Sequence, residues 1–149
     1  MDGSLYLDDL WVGQRFSSGS CAVDASQIKA FAAEFDPQPF HLSEASAEAS
    51  LFGGLAASGW HTACLAMRLI VSSVPVANGI VGLGVEIAWP RPVRPGDTLR
   101  VESEIVDITP SRSKPDRGVV TARSTALNEN GDAVCVMTAK LLVFRRTAA

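Results

Sequence analysis

Asp36 and His41 are the residues of this sequence best suited to acid–base chemistry: a carboxylate and an imidazole on one short segment, with Pro37 and Pro39 between them. Each proline fixes its own φ and pushes the residue before it out of the helical region. The segment Asp36-Pro37-Gln38-Pro39-Phe40-His41 therefore reads as an ordered loop that leaves both side chains little conformational freedom. A carboxylate and an imidazole converging on one water can share its activation and a proton transfer to a substrate carbon. The same residues also suit a plain surface loop, with Asp36 ending one helix and His41 capping the next. Residue types and spacing alone leave both arrangements open.

Gly59 is the second candidate. It follows Ala56-Ala57-Ser58 at the start of a long apolar stretch, where the first backbone N–H groups of a helix have no intrahelical partner. Those donors and the helix dipole favour developing negative charge, so the Gly59 N–H is a candidate donor to an oxyanion. Glycine also allows a ligand to approach the backbone closely. A simple helix cap by Ser58 accounts for the same residues. His61, just beyond, reads as a packed, hydrogen-bonded histidine. Arg68, the one charge within the apolar helix, must reach a partner or water and reads as part of an ion pair, within the chain or across a dimer. Arg91, Arg94, Arg112, Lys114 and Arg117 gather around a proline-rich turn and the 111–118 segment. Arginine forks suit phosphates; a solvated loop explains the same charges.

The elements that must position these groups follow from periodicity. Arg15 to Val23 reads as a first strand. Asp24 and Gln27 form a capping-box start, and Ile28, Phe31, Ala32 and Phe35 recur at helical spacing. Ser43 can cap a short helix over Glu44 to Ser50. The stretch from Trp60 to Val74 is apolar on nearly every side, as in a helix buried on most of its surface. Val85, Ile87 and Trp89 then alternate with polar or small residues, as a strand with one buried face does. Pro90, Pro92 and Pro95-Gly96-Asp97 make a turn. Strands follow at Leu99 to Ile105, Val119 to Leu127 and Val134 to Phe144, the last two joined across an Asn130-Gly131 hairpin signal. The order predicts one strand, then helices, then an antiparallel meander curved around the long helix.

Composition bounds the function. At 149 residues, 47% hydrophobic and 19% charged, the chain suits one globular domain, residues 1–149, with its own core. A net charge of −3 argues against nonspecific nucleic-acid binding, which needs clustered basic residues. Cys21, Cys64 and Cys135 form no CxxC pair, so neither a zinc knuckle nor a disulfide framework is suggested; each reads as a small buried residue. Met1 to Leu10 has three aspartates and no basic residue, unlike a signal or transit peptide. The run from Trp60 to Ala77, broken by His61 and Arg68, is too polar to span a bilayer. A cytoplasmic location away from membranes is the expectation.

Asp36-x-Gln38-Pro39-x-His41, followed by Phe52-Gly53, Ala57-x-Gly59 and a buried helix, resembles the MaoC-like dehydratases, which include the (R)-specific enoyl-CoA hydratases. Trp89-Pro90-x-Pro92-Val93-x-Pro95-Gly96-Asp97 extends the likeness over most of the chain. The resemblance implies an α+β hot-dog fold, a curved antiparallel sheet around a long central helix, assembled as a homodimer or higher homo-oligomer with acyl-CoA or a carrier-bound thioester at the interface. It implies that Asp36 and His41 activate the water, that the Gly59 N–H holds the thioester oxygen, and that Gln38 orients the loop. Ser58, Arg94, Lys114 and Arg117 are the further candidates for substrate contact. No metal is implied, and coenzyme A enters only as part of the substrate. Phe35 replaces a glycine common before the aspartate, which would narrow the acyl entrance, and Met67 stands where some relatives have a serine. An acyl-CoA thioesterase or a non-catalytic thioester-binding protein are the competing expectations, since one fold hosts several chemistries.

Overall fold

A computed structural model describes residues 3–147. Its elements run β1 (Arg15–Ala22), α1 (Ala25–Phe35), α2 (Pro39–Leu42), α3 (Glu44–Glu48), α4 (Gly59–Ser73), β2 (Val81–Ala88), β3 (Thr98–Pro110), β4 (Arg117–Leu127) and β5 (Ala133–Phe144), with a 3-10 turn at Leu7–Asp9. The five strands form one antiparallel sheet in the order β1-β3-β4-β5-β2. This is the hot-dog architecture, with α4 packed on the sheet's inner face. Leu99, Val101, Ala126 and Cys135 line that face where Leu65, Ala66, Leu69 and Ile70 of α4 meet it, and Ile105 and Val120 continue it in a second cluster with Leu7 and Leu10.

Local chemistry fixes the boundaries. The Asp24 side chain accepts from the Gln27 N–H at 2.7 Å while the Gln27 side chain accepts from the Asp24 N–H at 3.1 Å, closing the capping box of α1. At the 128–132 hairpin, Gly131 takes φ +80°, and Asn128 Oδ1 accepts from the N–H groups of Asn130 and Asp132.

Two expectations need correction. A pure meander would have set β2 beside β3, whereas β2 crosses to the far edge and pairs only with β5. Pro90, Pro92 and Pro95 lack the N–H groups that a ladder needs, so the 89–97 segment spans the end of the sheet in place of turning a hairpin. The second concerns burial. Val81, Leu83 and Val85 are 45–56% exposed, and Trp60, Met67 and Val71 leave a bare stripe along α4. The helix is thus covered on one side only. Cys64, on that stripe, is exposed; Cys135 is buried, which pushes its thiol up to about 11. Trp11, Trp60 and Trp89 are likewise 40–61% exposed.

Candidate active site

The cavity that holds Asp36 and His41 also exposes Gln38, Phe40, Phe52, Gly59, Trp89 and Arg91. Besides the 89–93 segment, which supplies Trp89 and Arg91, three stretches of chain position its groups. Asp36 is the residue after the last turn of α1, held there because Pro37 and Pro39 stop the helix. His41 lies on the short helix α2 and not on an open loop as its sequence suggested, because Pro39 at the first helical positions is preorganised to start a turn. The third segment, 55–59, leads into α4 and is held by the crossing strand-end segment, with the Ala57 N–H donating to the Val93 carbonyl at 2.9 Å.

His41 is only 5% exposed. Its Nδ1 lies 2.6 Å from the Ala56 carbonyl oxygen. A carbonyl can only accept, so Nδ1 carries the hydrogen, and in the neutral ring Nε2 presents a lone pair. Nε2 lies 3.4 Å from Asp36 Oδ2, longer than a good N–H···O bond. Asp36 is itself anchored twice: Gln38 Nε2 donates to Oδ1 at 2.5 Å and Ser58 Oγ donates to Oδ2 at 2.7 Å. Burial works to raise the Asp36 pKa, but the Ser58 and Gln38 hydrogen bonds and the neighbouring His41 outweigh it, and the carboxyl sits below its ordinary range. Asp36 is a carboxylate at neutral pH.

Ser58 also caps α4, its Oγ accepting from the Trp60 N–H at 3.2 Å. One hydroxyl therefore ties the start of the central helix to the carboxylate. Being fully buried, Ser58 is a positioning residue and not the substrate contact its place beside Gly59 suggested. Gly59 opens α4. Trp89 stacks over it, donating from Nε1 to the Gly59 carbonyl at 2.8 Å, and meets Trp60 edge-on with ring centroids 5.4 Å apart.

The basic candidates are dispersed. Arg94 turns inward and donates to the carbonyls of Phe52, Gly54 (2.7 Å) and Leu55 (3.4 Å), pinning the loop before Gly59. Its fork is engaged by backbone, so the phosphate role expected of it gives way to a structural one. Lys114 and Arg117 lie at the β3–β4 turn, at the opposite end of β3 from the proline-rich segment. In this chain they do not join the cavity, and Arg117 pairs with Asp116 and stacks over Phe144. Arg91, by contrast, lines the cavity. Phe35 points outward at 64% exposure and rests on Phe31, so it does not narrow this opening. His61 is buried and stacked on Phe31 at 4.8 Å, but its Nδ1 finds no partner among the described residues; burial, then the Arg68 charge, lower its pKa. Arg68 is exposed and has no carboxylate within ion-pair distance among the described residues.

Trp89 and Ser58 were under-read because their work depends on contacts 30 and 22 residues away in sequence. Among the described residues no group of three or more His, Cys, Asp or Glu side chains could hold a metal ion, and no helix is long and apolar enough to cross a membrane.

This constellation sits within a stretch, residues 12–129, that matches the MaoC-like domain family. The chain belongs to the MaoC-like dehydratases. It is similar to the crystal structure of the MaoC-like dehydratase from Rhodospirillum rubrum, at 58% identity and a TM-score of 0.96, covering 97% of this chain and 100% of that one. It is 31% identical to the 3-hydroxybutyryl-CoA dehydratase of Methylorubrum extorquens, over 74% of this chain and 69% of the relative. The unliganded (R)-hydratase PhaJ1 of Pseudomonas aeruginosa superimposes with a TM-score of 0.76 at 26% identity, covering 96% and 88% of the two chains. MaoC-like relatives thus include hydratases and dehydratases, and the family supports a hydro-lyase.

Proposed function

We propose that this MaoC-like protein adds water to a trans-2-enoyl thioester, carried on coenzyme A, to give the (R)-3-hydroxyacyl thioester, or runs the reverse dehydration. The observation that carries the reading is the pairing of two acceptors. His41 Nε2, left with its lone pair by the Nδ1–H bond to Ala56, faces the Asp36 carboxylate across 3.4 Å. A water at that point donates one hydrogen to each. Its oxygen attacks C3 of the enoyl group, the pair takes up a water proton, and a proton passes from the pair to C2 on the same face. The thioester oxygen gathers charge meanwhile, and the Gly59 N–H at the start of α4 stabilises it by donating a hydrogen bond to that oxygen. Hydroxyl and proton together account for the water consumed. The chemistry is acid–base, with coenzyme A present as part of the substrate.

Purified protein is expected to bleach the enoyl absorbance of crotonyl-CoA or a longer enoyl-CoA, and the product should be oxidised by an (R)-specific 3-hydroxyacyl dehydrogenase. Folded protein inert toward every chain length would sink the reading. Release of the coenzyme A thiol in place of bleaching would mark attack at the carbonyl, as in a thioesterase.

Ser58→Ala supplies a pH test. Removing a donor to Asp36 raises the carboxyl pKa, so the proton is taken up earlier as pH falls. The acid limb of kcat/KM is expected to move to higher pH, with the helix cap loss costing about 1 kcal/mol of stability. An unmoved acid limb would show that Asp36 does not control it.

The same reading includes a second copy of the chain. β2 is an edge strand with a single charged side chain, Glu86, and its outer backbone groups have no ladder partner among the described residues. Long apolar edges of this kind pair or aggregate, and a two-fold axis would let β2 meet β2 and cover Leu83, Val85, Met67 and Val71 isologously. Wild-type protein is expected to scatter light as at least a dimer, and Leu83→Lys to shift the mass toward a single chain. A monomeric wild type would refute the assembly.

A further inference from the structure

Two serines interrupt the apolar inner face of the sheet. Ser103 stands between Val101 and Ile105 on β3, and Ser124 between Ala122 and Ala126 on β4; they are direct cross-strand partners, 3% and 6% exposed, with their hydroxyls 2.7 Å apart. The core divides at this row. Leu99, Val101 and Ala126 belong to one buried cluster, while Ile105, Val120 and Leu141 belong to another. Between the clusters lies a cavity of about 420 Å³, bounded by the second half of α4 (Met67, Ile70), by β2 with its Gly82 and Gly84, and by the two serines; it opens beside the exposed Met67, Leu83 and Val85, the side that the second copy proposed above would cover. An engineered cavity of about 150 Å³ already accepts benzene, so this space suits a longer apolar chain.

The cavity lies farther along α4 and β2 than the cleft that holds the catalytic pair, and the two have no lining residue in common. Trp89 joins the end of β2 to Gly59 at the start of α4, and farther along Met67, Ile70 and Val74 face the 82–85 segment across the cavity. Helix and strand therefore run antiparallel, and at 1.5 Å per residue Met67 lies about 12 Å beyond Gly59. An acyl chain whose thioester sits at Gly59 would reach the cavity by running along α4 for that distance.

Ser103 and Ser124 are the only side chains with polar hydrogens among those lining the cavity. Two hydroxyls carry two hydrogens, and their mutual bond uses one. The other finds no acceptor among the described residues, since neither side chain makes a further hydrogen bond. A buried donor left unspent is costly, and alanine at both positions would remove the cost. An oxygen on the bound chain would use it. The cavity has no cation in its lining, so that oxygen is neutral, because a carboxylate would be buried without a counter-charge.

We propose that the Ser103–Ser124 pair recognises a neutral oxygen, hydroxyl or keto, on the acyl chain at a distance from the reacting carbons. The enzyme would then act on oxygenated acyl thioesters in preference to plain alkyl ones. This rests on the hydratase reading above. The test compares enoyl-CoAs of equal length whose distal chain is plain, hydroxylated or keto-substituted, or ends in a carboxylate. Wild-type kcat/KM is expected to favour the neutral oxygenated chains by about tenfold or more, as for one recovered buried hydrogen bond, and to disfavour the carboxylate. In the Ser103→Ala/Ser124→Ala variant the ratio of oxygenated to plain should fall to within about twofold. Plain chains turned over equally well by wild type, or a preference that survives both alanines, would overturn the proposal while leaving the hydratase reading intact. If no enoyl-CoA is turned over, that reading fails, and calorimetric binding of saturated plain and hydroxylated acyl-CoAs to the same two proteins still decides the role of the pair.

Discussion

Asp36→Asn and His41→Gln are each expected to lower kcat for enoyl-CoA hydration by about a thousandfold, within the range that a positioned acid–base group supplies. Asparagine keeps the shape of the side chain and its bond to Gln38 or Ser58. It has no negative charge, however, and its amide hydrogens repel the water hydrogen that the carboxylate accepts. Glutamine at 41 keeps a polar group but loses the coupled arrangement in which Nδ1–H donates to Ala56 and so leaves Nε2 as an acceptor. Because both groups act on one water, the double variant should be scarcely slower than either single one, since residues acting as a unit are not additive. Steady-state kinetics at saturating substrate, with circular dichroism melts to show folding, would check this. Activity within a few-fold of wild type in either folded variant would remove that residue from the mechanism, and additive losses would mean that the two do different jobs.

What the sequence disclosed and what it hid follow a physical divide. The helix boundaries were legible because their causes are local: the Asp24–Gln27 box starts α1, and Pro37 and Pro39 end it. A curved sheet around one long helix was legible from an apolar helix followed by alternating strands, and the MaoC-like resemblance implied the hot-dog fold. The place of β2 was not, because strand order is set by which edges close over α4, and alternation reads the same beside β3 or beside β5. Exposure of the Trp60–Val71 stripe was invisible for a related reason: an apolar side chain reads the same in sequence whether it is covered or bare. At the site, Asp36 and His41 stood out by type and spacing. Arg94 was misjudged because a guanidinium looks the same whether it meets phosphate or three backbone carbonyls. Ser103 and Ser124 gave no signal at all, being two serines 21 residues apart in alternating strands until the register places them side by side.

Gly59→Ala is expected to reduce kcat/KM by about a hundredfold, and the reason is space. Gly59 has an ordinary helical backbone, so alanine is not excluded by conformation. A Cβ built there, however, would lie 2.7 Å from Trp89 Cε2 and 2.9 Å from Nε1, closer than atoms in proteins pack. The contact is with the body of an indole ring, tethered by its own hydrogen bond to the Gly59 carbonyl and braced by Trp60, so the clash moves either the ring or the start of α4. Where the start of α4 gives way, its first N–H is displaced from the thioester oxygen, and misplacement of a donor by about 1 Å is enough for such a loss. A double-mutant cycle separates this from mere damage to the helix. Trp89→Ala alone should cost less, because it frees the ring's space while leaving the amide where it is. Combined with Gly59→Ala it should recover much of the lost rate, giving a coupling between the two positions that independent sites do not have. An alanine variant as active as wild type would mean that the Gly59 amide does not hold the developing charge. A loss that Trp89→Ala fails to relieve would mean that the substrate itself needs the space beside Gly59.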